Sequence, residues 1–280
     1  MSASEDAASA PLRIGGVVLA VRDLARAEAF YCDVIGLRRL ALEAGRTRLG
    51  VGAAAFLDLV QRPDATPDDS AAAGLFHTAF RLPSRADLAD WLAHLGRLQY
   101  KVDGASDHLV SEAVYLSDPE GNGVEVYADR PRAAWEWQGS RIRMATLRLD
   151  TAALLEVQTA AGWTGAPPGS RIGHVHLRVG DVAQAAAFYS DVIGLAVTLA
   201  MPNAVFMSSG GYHHHVAVNT WHSSGAQARD PAMAGLASVT IEVADAEILA
   251  GIAARSGQAD PADVGLRDPW GTEIRFRVAG

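Results

Sequence analysis

Ile14-Gly15-Gly16-Val17-Val18-Leu19-Ala20-Val21, followed by Phe30-Tyr31-Cys32-Asp33-Val34-Ile35-Gly36-Leu37, returns 158 residues later as Ile172-Gly173-His174-Val175-His176-Leu177-Arg178-Val179 and Phe188-Tyr189-Ser190-Asp191-Val192-Ile193-Gly194-Leu195. A phrase that repeats at a long interval reports a repeated supersecondary unit. The scaffold residues are kept, but Gly16 and Val18 in the first copy face His174 and His176 in the second. Alternate strand positions share a face, so one copy carries two imidazoles where the other carries no ligand. Chemistry is expected in one copy only.

Working outward, each long repeat opens as a strand and passes into a helical pattern: Val17 to Val21 before Leu24 to Tyr31, and Val175 to Val179 before Val182 to Tyr189. Ile-Gly-Leu then reads as a glycine stop. Behind each lies a shorter relative, opened by Gly74 to Phe80 and by Gly235 to Ile241, with helices over Arg85 to Leu95 and Ala246 to Arg255. Both relatives close on Asp-Pro, a glycine turn and a strand: Asp118-Pro119-Glu120-Gly121-Asn122-Gly123-Val124-Glu125-Val126-Tyr127, and Asp268-Pro269-Trp270-Gly271-Thr272-Glu273-Ile274-Arg275-Phe276. The reading is an α+β chain of four βαβββ modules. The first two form a domain over 12–129, the last two a domain over 172–278, and 130–171 is a linker ending in Gly165-Ala166-Pro167-Pro168-Gly169, a turn former.

Composition sets outer bounds. With 280 residues, 49% hydrophobic and 20% charged, the chain is an ordinary globular protein with room for two modest domains. A formal charge of -8 argues against nucleic-acid binding. No apolar run approaches the roughly 18–20 residues of a membrane span. Met1 to Pro11 has neither a basic start nor an apolar core, so it reads as a loose terminus and not a signal peptide. Cys32 is the sole cysteine, which excludes an intramolecular disulfide and suits a reducing cytoplasm. It is expected on the packing face of a helix.

Four such modules, with the phrases Phe-Tyr-x-Asp-Val-Ile-Gly-Leu and Asp-Pro-x-Gly-x-x-Val-Glu-Val, resemble the vicinal-oxygen-chelate superfamily over nearly all of residues 12 to 278. That superfamily includes glyoxalase I, bleomycin-resistance proteins and extradiol ring-cleaving dioxygenases. The resemblance implies that two modules pair their curved, mixed sheets into an open cup, and that metal ligands come from the first and last strands of modules. The position on the opening strands is filled here by Gly16, His77, His174 and Ser238, and on the closing strands of the shorter modules by Glu125 and Arg275. His77, Glu125 and His174 are thus the expected metal ligands, the composition of a facial triad on non-haem Fe(II). Neighbour pairing within each half would divide them. A cup built from modules two and three collects all three, and that pairing is expected.

The stretch Gly104 to Pro119 is similar to the last module of extradiol dioxygenases, where a histidine before a Val-Ser pair lines the substrate pocket; here it is His108. The same resemblance puts a substrate-facing tyrosine two residues past the glutamate, at Tyr127, on the glutamate's face by alternation. It also puts an acid-base histidine near Tyr212-His213-His214-His215-Val216-Ala217. Matching the Ala-Val ending selects His214, strand alternation favours His215, and both stand as catalytic candidates. His176 and His213 complete the expected substrate-binding set.

Other residues have plainer readings. His94 and His222 are ordinary core or surface histidines, Glu273 is one residue out of register and solvated, and Trp135, Trp137 and Trp163 pack between the halves. Arg130-Pro131-Arg132 is a solvated turn whose charge could attract an anionic substrate. The function implied by the resemblance is an Fe(II)-dependent extradiol dioxygenase, with Mn(II) the alternative metal. It would take a small aromatic diol and O2 to a ring-opened 2-hydroxymuconic semialdehyde. A homo-oligomer is allowed, and neither nucleic acid nor membrane is expected as a partner. The alternatives are a glyoxalase-like isomerase or lyase, which would have a carboxylate-richer site, and a bleomycin-resistance-like binding protein, which needs aromatic walls and no metal.

Overall fold

Each module opens with a strand followed by a helix, and a capping side chain starts every one of those helices. In the computed structural model, which describes residues 10–258, 260 and 264–279, module one runs β1 (Leu12–Val21), α1 (Leu24–Asp33), β2 (Arg38–Glu43), β3 (Arg46–Val51) and β4 (Ala54–Gln61). Module two runs β5 (Gly74–Leu82), α2 (Arg85–Leu98), β6 (Gly104–Asp107), β7 (Ser111–Ser117) and β8 (Gly123–Asp129). The connecting segment forms a hairpin, β9 (Trp137–Gln138) and β10 (Arg141–Ile142), then β11 (Leu147–Arg148) and α3 (Thr151–Leu155). Module three is β12 (Arg171–Arg178), α4 (Val182–Ala187) continuing into a π-helical turn over Phe188–Ile193, β13 (Ala196–Met201), β14 (Ala204–Ser208) and β15 (Val216–Asn219). Module four is β16 (Gly235–Val243), α5 (Ala246–Ser256), β17 (Gly265–Arg267) and β18 (Glu273–Val278). Among the described residues it has one strand fewer than the βαβββ reading. Most of the terminus expected to be loose, residues 1–9, lies outside them.

Asp23, Ser84, Asp181 and Asp245 accept from backbone N–H groups of the first turns of α1, α2, α4 and α5, satisfying donors that a helix start leaves orphaned. Gly36 and Gly194 take φ of 78 and 96°, the left-handed stop that glycine adopts without strain. The two signature phrases hold each other. Tyr31 donates to Asp118 at 2.9 Å, and Tyr189 donates to Asp268 at 3.1 Å. Each aspartate also accepts backbone N–H groups of its own glycine turn. The phrases therefore tie module one to two and three to four, which explains why they mark the fold and not the reaction.

Sheet pairing runs the other way. A nine-stranded sheet has the order β11-β6-β7-β8-β5-β12-β15-β14-β13, and a seven-stranded sheet the order β17-β18-β16-β1-β4-β3-β2. Antiparallel β5 and β12 join module two to three, and antiparallel β1 and β16 join one to four. This is the pairing that the ligand positions anticipate. Both joints carry register shifts, at Ile172/His174 and His176/Leu177 in one and at Ile14/Gly16 and Val18/Leu19 in the other; such bulges re-aim side chains. One buried apolar core takes residues from all four modules, with half-buried Cys32 packed at its margin. Among the described residues no helix is long and apolar enough to cross a membrane.

Candidate metal centre

His77 stands on β5, Glu125 on β8 and His174 on β12, three adjacent strands in the order β8-β5-β12. Glu125 lies beside Ala79 across the parallel pair, and His174 lies opposite the same Ala79 across the antiparallel pair. His77, two residues earlier, shares that face. Glu125 Oε2 is 3.0 Å from His77 Nε2 and 3.2 Å from His174 Nε2, and the two Nε2 atoms are 3.4 Å apart. All three side chains are buried.

Ligand atoms separated by 3.0–3.4 Å span one face of the coordination sphere of a first-row divalent metal, whose bonds to nitrogen and oxygen are about 2.0–2.2 Å. The residues therefore fit a metal, and two imidazoles with one carboxylate suit non-haem iron. Burial pushes the Glu125 carboxyl up, yet the His174 and His77 rings hold it well below the usual carboxylate range. Burial also takes His174 down from 6.5 to about 4. At neutral pH a carboxylate thus faces a neutral imidazole, the protonation state that a metal requires.

That depression has a consequence for the metal-free protein. Between pH 6.5 and 4 the unfolded chain binds a proton at His174 that the folded chain does not. Stability from this residue is complete above pH 6.5 and drains as pH falls towards 4, by about 3 kcal/mol in all. Burial lowers His176, His214 and His215 in the same sense. Thermal melts of metal-free protein across this window should show a steep acid-side fall in Tm, smaller in His174→Gln. A flat profile would contradict the neutral buried rings.

The trio forms part of the wall of a cavity of about 360 Å³, in the range of small-molecule sites. Phe76, Leu199, Met201, Phe206 and Trp221 give it apolar walls, and His108, Tyr115, His176 and His214 give it polar ones. Met144, Ala145 and Thr146, from the segment read as a linker, close one side. The sequence model of the glyoxalase/bleomycin resistance protein/dioxygenase superfamily matches residues 13–126 and 171–276.

The chain belongs to that superfamily. A catechol-2,3-dioxygenase of Bacillus subtilis (strain 168) is 40% identical over 235 residues, covering 81% of each chain. Among solved structures, a protein of Bacillus subtilis subsp. subtilis str. 168 superposes at a TM-score of 0.62 and 12% identity, over 95% of this chain and 84% of its own. Glyoxalase I from Zea mays superposes at a TM-score of 0.55 and 15% identity, over 96% of this chain and 93% of its own. At those identities the two speak for the fold alone.

Within this superfamily cup, the structure sorts the remaining candidates. His108 lines the cavity, donating from Nδ1 to the Ala145 carbonyl at 2.7 Å and accepting at Nε2 from the Tyr115 hydroxyl at 2.6 Å. His176 also lines it and accepts from Asn219 Nδ2 at 3.0 Å. Tyr127 does not line it. Its ring lies behind His174, with centroids 5.0 Å apart, and its hydroxyl pairs with that of Tyr212 at 2.7 Å. The tyrosine at the cavity is Tyr115, directly across from Glu125 in the β7/β8 ladder. Counting back across the Asp118 to Gly121 turn would have found it.

The three consecutive histidines are not in a strand, because β15 begins only at Val216. Thr198 Oγ1 donates to the His213 carbonyl and Ser208 Oγ to the Tyr212 carbonyl, at 2.6 and 2.5 Å, which holds this segment as a bend where alternation does not apply. His214 reaches the cavity, its ring 4.0 Å from that of His174. His215 lies away from it, under Tyr212, accepting at Nδ1 from the Ser209 N–H at 3.3 Å. His213 lies behind His214, with their Nδ1 atoms 2.7 Å apart, and its Nε2 meets Asp129 Oδ1 at 3.0 Å. Buried Asp129 also accepts from Arg81 at 2.6 Å and from Tyr212 at 3.0 Å. Burial pushes its carboxyl up, but His213 and Arg81 hold it below the usual range. With His213 Nε2–H donating to Asp129, its Nδ1 accepts from His214 Nδ1–H, which leaves a lone pair on His214 Nε2. The sequence reading missed Asp129, although it shares a face with Glu125 and Tyr127 by alternation.

Proposed function

We propose that this superfamily member is an extradiol dioxygenase that opens a catechol-type ring with O2 at a metal held by His77, Glu125 and His174. The observation that carries this reading is the buried trio in the wall of an apolar cavity, with His214 packed against one of its rings, in a chain 40% identical to a catechol-2,3-dioxygenase. Fe(II), with Mn(II) as the alternative, would supply a redox-active Lewis acid that gathers the diol and dioxygen.

The protein's own groups do the rest. Phe76, Phe206, Trp221 and the flanking aliphatic residues hold an aromatic ring and exclude water. His214, which burial and the neighbouring histidine rings keep neutral and ready to accept, takes a proton from the diol at Nε2 and later returns it. His213 and Asp129 fix which nitrogen of His214 is free. Tyr115, its hydroxyl proton given to His108, accepts a hydrogen bond from the substrate on the opposite side. His176, pushed well below its ordinary range by burial and by neighbouring His77 and His174, is a neutral partner for a substrate oxygen. A single carboxylate in the trio disfavours the glyoxalase-like alternative.

Anaerobically purified protein, reconstituted with Fe(II) or Mn(II) and given catechol, should bind one metal per chain and form a yellow ring-opened product. Absence of ring cleavage with either metal, together with isomerisation of a glutathione hemithioacetal, would replace this reading with the glyoxalase one. Tyr115→Phe should keep the metal and lower kcat/KM about tenfold, the worth of one buried hydrogen bond whose partner is left unpaired. An unchanged kcat/KM would remove Tyr115 from the substrate's contacts.

A further inference from the structure

The cup formed by modules one and four has its own chemistry. Gly16 lies opposite Thr240, and Arg275 lies beside Thr240, in the same register in which His174 and Glu125 flank Ala79. Gly16, Ser238 and Arg275 therefore occupy the places that His174, His77 and Glu125 hold in the other cup. A Cβ at Gly16 would come within 2.9 Å of the Phe56 carbonyl oxygen, so no ligand side chain fits there. Where the metal cup presents a carboxylate, this cup presents a guanidinium.

The reversal extends through the cavity, which encloses about 400 Å³. Arg46, Arg62, Arg229, Arg267 and Arg275 line it, in a chain whose formal charge is -8. The nearby carboxylates are each divided between two arginines. Asp58 serves Arg46 and, at 3.8 Å, Arg48; Asp68 serves Arg178 at 2.5 Å and Arg229 at 3.3 Å; Glu273 serves Arg275 at 2.6 Å and Arg267 at 3.1 Å. Asp230 is the remaining acidic wall residue. Among the described residues Arg62 donates to the Pro231 carbonyl alone, at 3.1 Å. The Nε atoms of the wall residues Arg46 and Arg229 are buried without a hydrogen-bond partner, and a buried donor left unmatched is costly. A concave wall with more guanidinium than carboxylate, and with unsatisfied N–H groups, is matched by an anion that accepts from several arginines at once.

We propose that the module one and four cup binds a small multivalent oxyanion, a phosphate or a polycarboxylate, through Arg62, Arg229 and Arg275. This site is separate from the metal cup and does not depend on the reading given for it.

Calorimetric titration of the full chain at 0.15 M salt, with inorganic phosphate and with tricarballylate as the two probes, tests the proposal. Saturable binding of one anion per chain is expected, and the tighter probe tells phosphate from carboxylate. Arg62→Glu and Arg275→Glu, both on exposed side chains, should each weaken binding tenfold or more. Glu125→Ala should leave it intact. No saturable binding of either probe at millimolar concentration overturns the proposal, as does binding that ignores both arginine substitutions. Binding lost in Glu125→Ala would place the anion at the metal cup and overturn it equally.

Discussion

Glu125→Ala should leave the protein folded but unable to hold its metal, with no ring-opening turnover above background. The substitution removes the trio's sole anion and leaves two imidazoles whose Nε2 atoms are 3.4 Å apart. Losing a hydrogen bond behind a ligand already costs roughly 10–100-fold in metal affinity or activity, so losing the charged ligand itself must cost more. Metal analysis should find well under one ion per chain, and catechol should give no yellow product. Glu273→Ala is the matched control, since that carboxylate pairs with Arg267 and Arg275 in the other cup. Stoichiometric metal in Glu125→Ala would dissolve the proposed centre.

His214→Gln should separate chemistry from binding. Metal content and catechol affinity should stay near those of the parent, while kcat falls by about 10² to 10⁴, the usual worth of a positioned proton-transfer group. The ring lines the cavity and touches no more of the trio than the face of His174, so its removal leaves the ligand atoms in place. His215→Gln removes the acceptor for the Ser209 N–H and should lower stability by about 1 kcal/mol with kcat little changed. If the two variants exchange these phenotypes, the proton passes through His215 and the cavity has been read on the wrong side.

The difference between the two copies of the opening repeat was legible in the sequence, and so was its consequence. Two imidazoles and a carboxylate at equivalent places meet only if module two pairs with module three, and the β5/β12 joint does that. Tyr127 shows where the reasoning stopped. Alternation puts it on the right face of β8, but the bulged strand β12 lays His174 over it, and overlap between strands is not written along either one. His214 and His215 could not be separated because their segment is a bend pinned by the Thr198 and Ser208 hydroxyls of the β13/β14 hairpin, and side-chain bonds to a backbone carbonyl leave no period in the sequence. The cavity wall from Met144 to Thr146 was invisible for a related reason. It reaches the cup because β11 pairs with β6 at the sheet edge, a contact too short to leave a hydrophobic period.

The nesting of the modules also sets an order of assembly during synthesis. Modules two and three are consecutive, so β5 finds β12 soon after both have left the ribosome. Module one must wait: β1 ends at Val21 and its partner β16 begins at Gly235, 214 residues later. At about 5–20 residues per second that interval is about 10–40 s, during which β1 has an open edge and an unmatched apolar face. The half of the molecule that carries the proposed metal ligands can close first, and the half that carries none is the one exposed to mispairing while the chain is still being made.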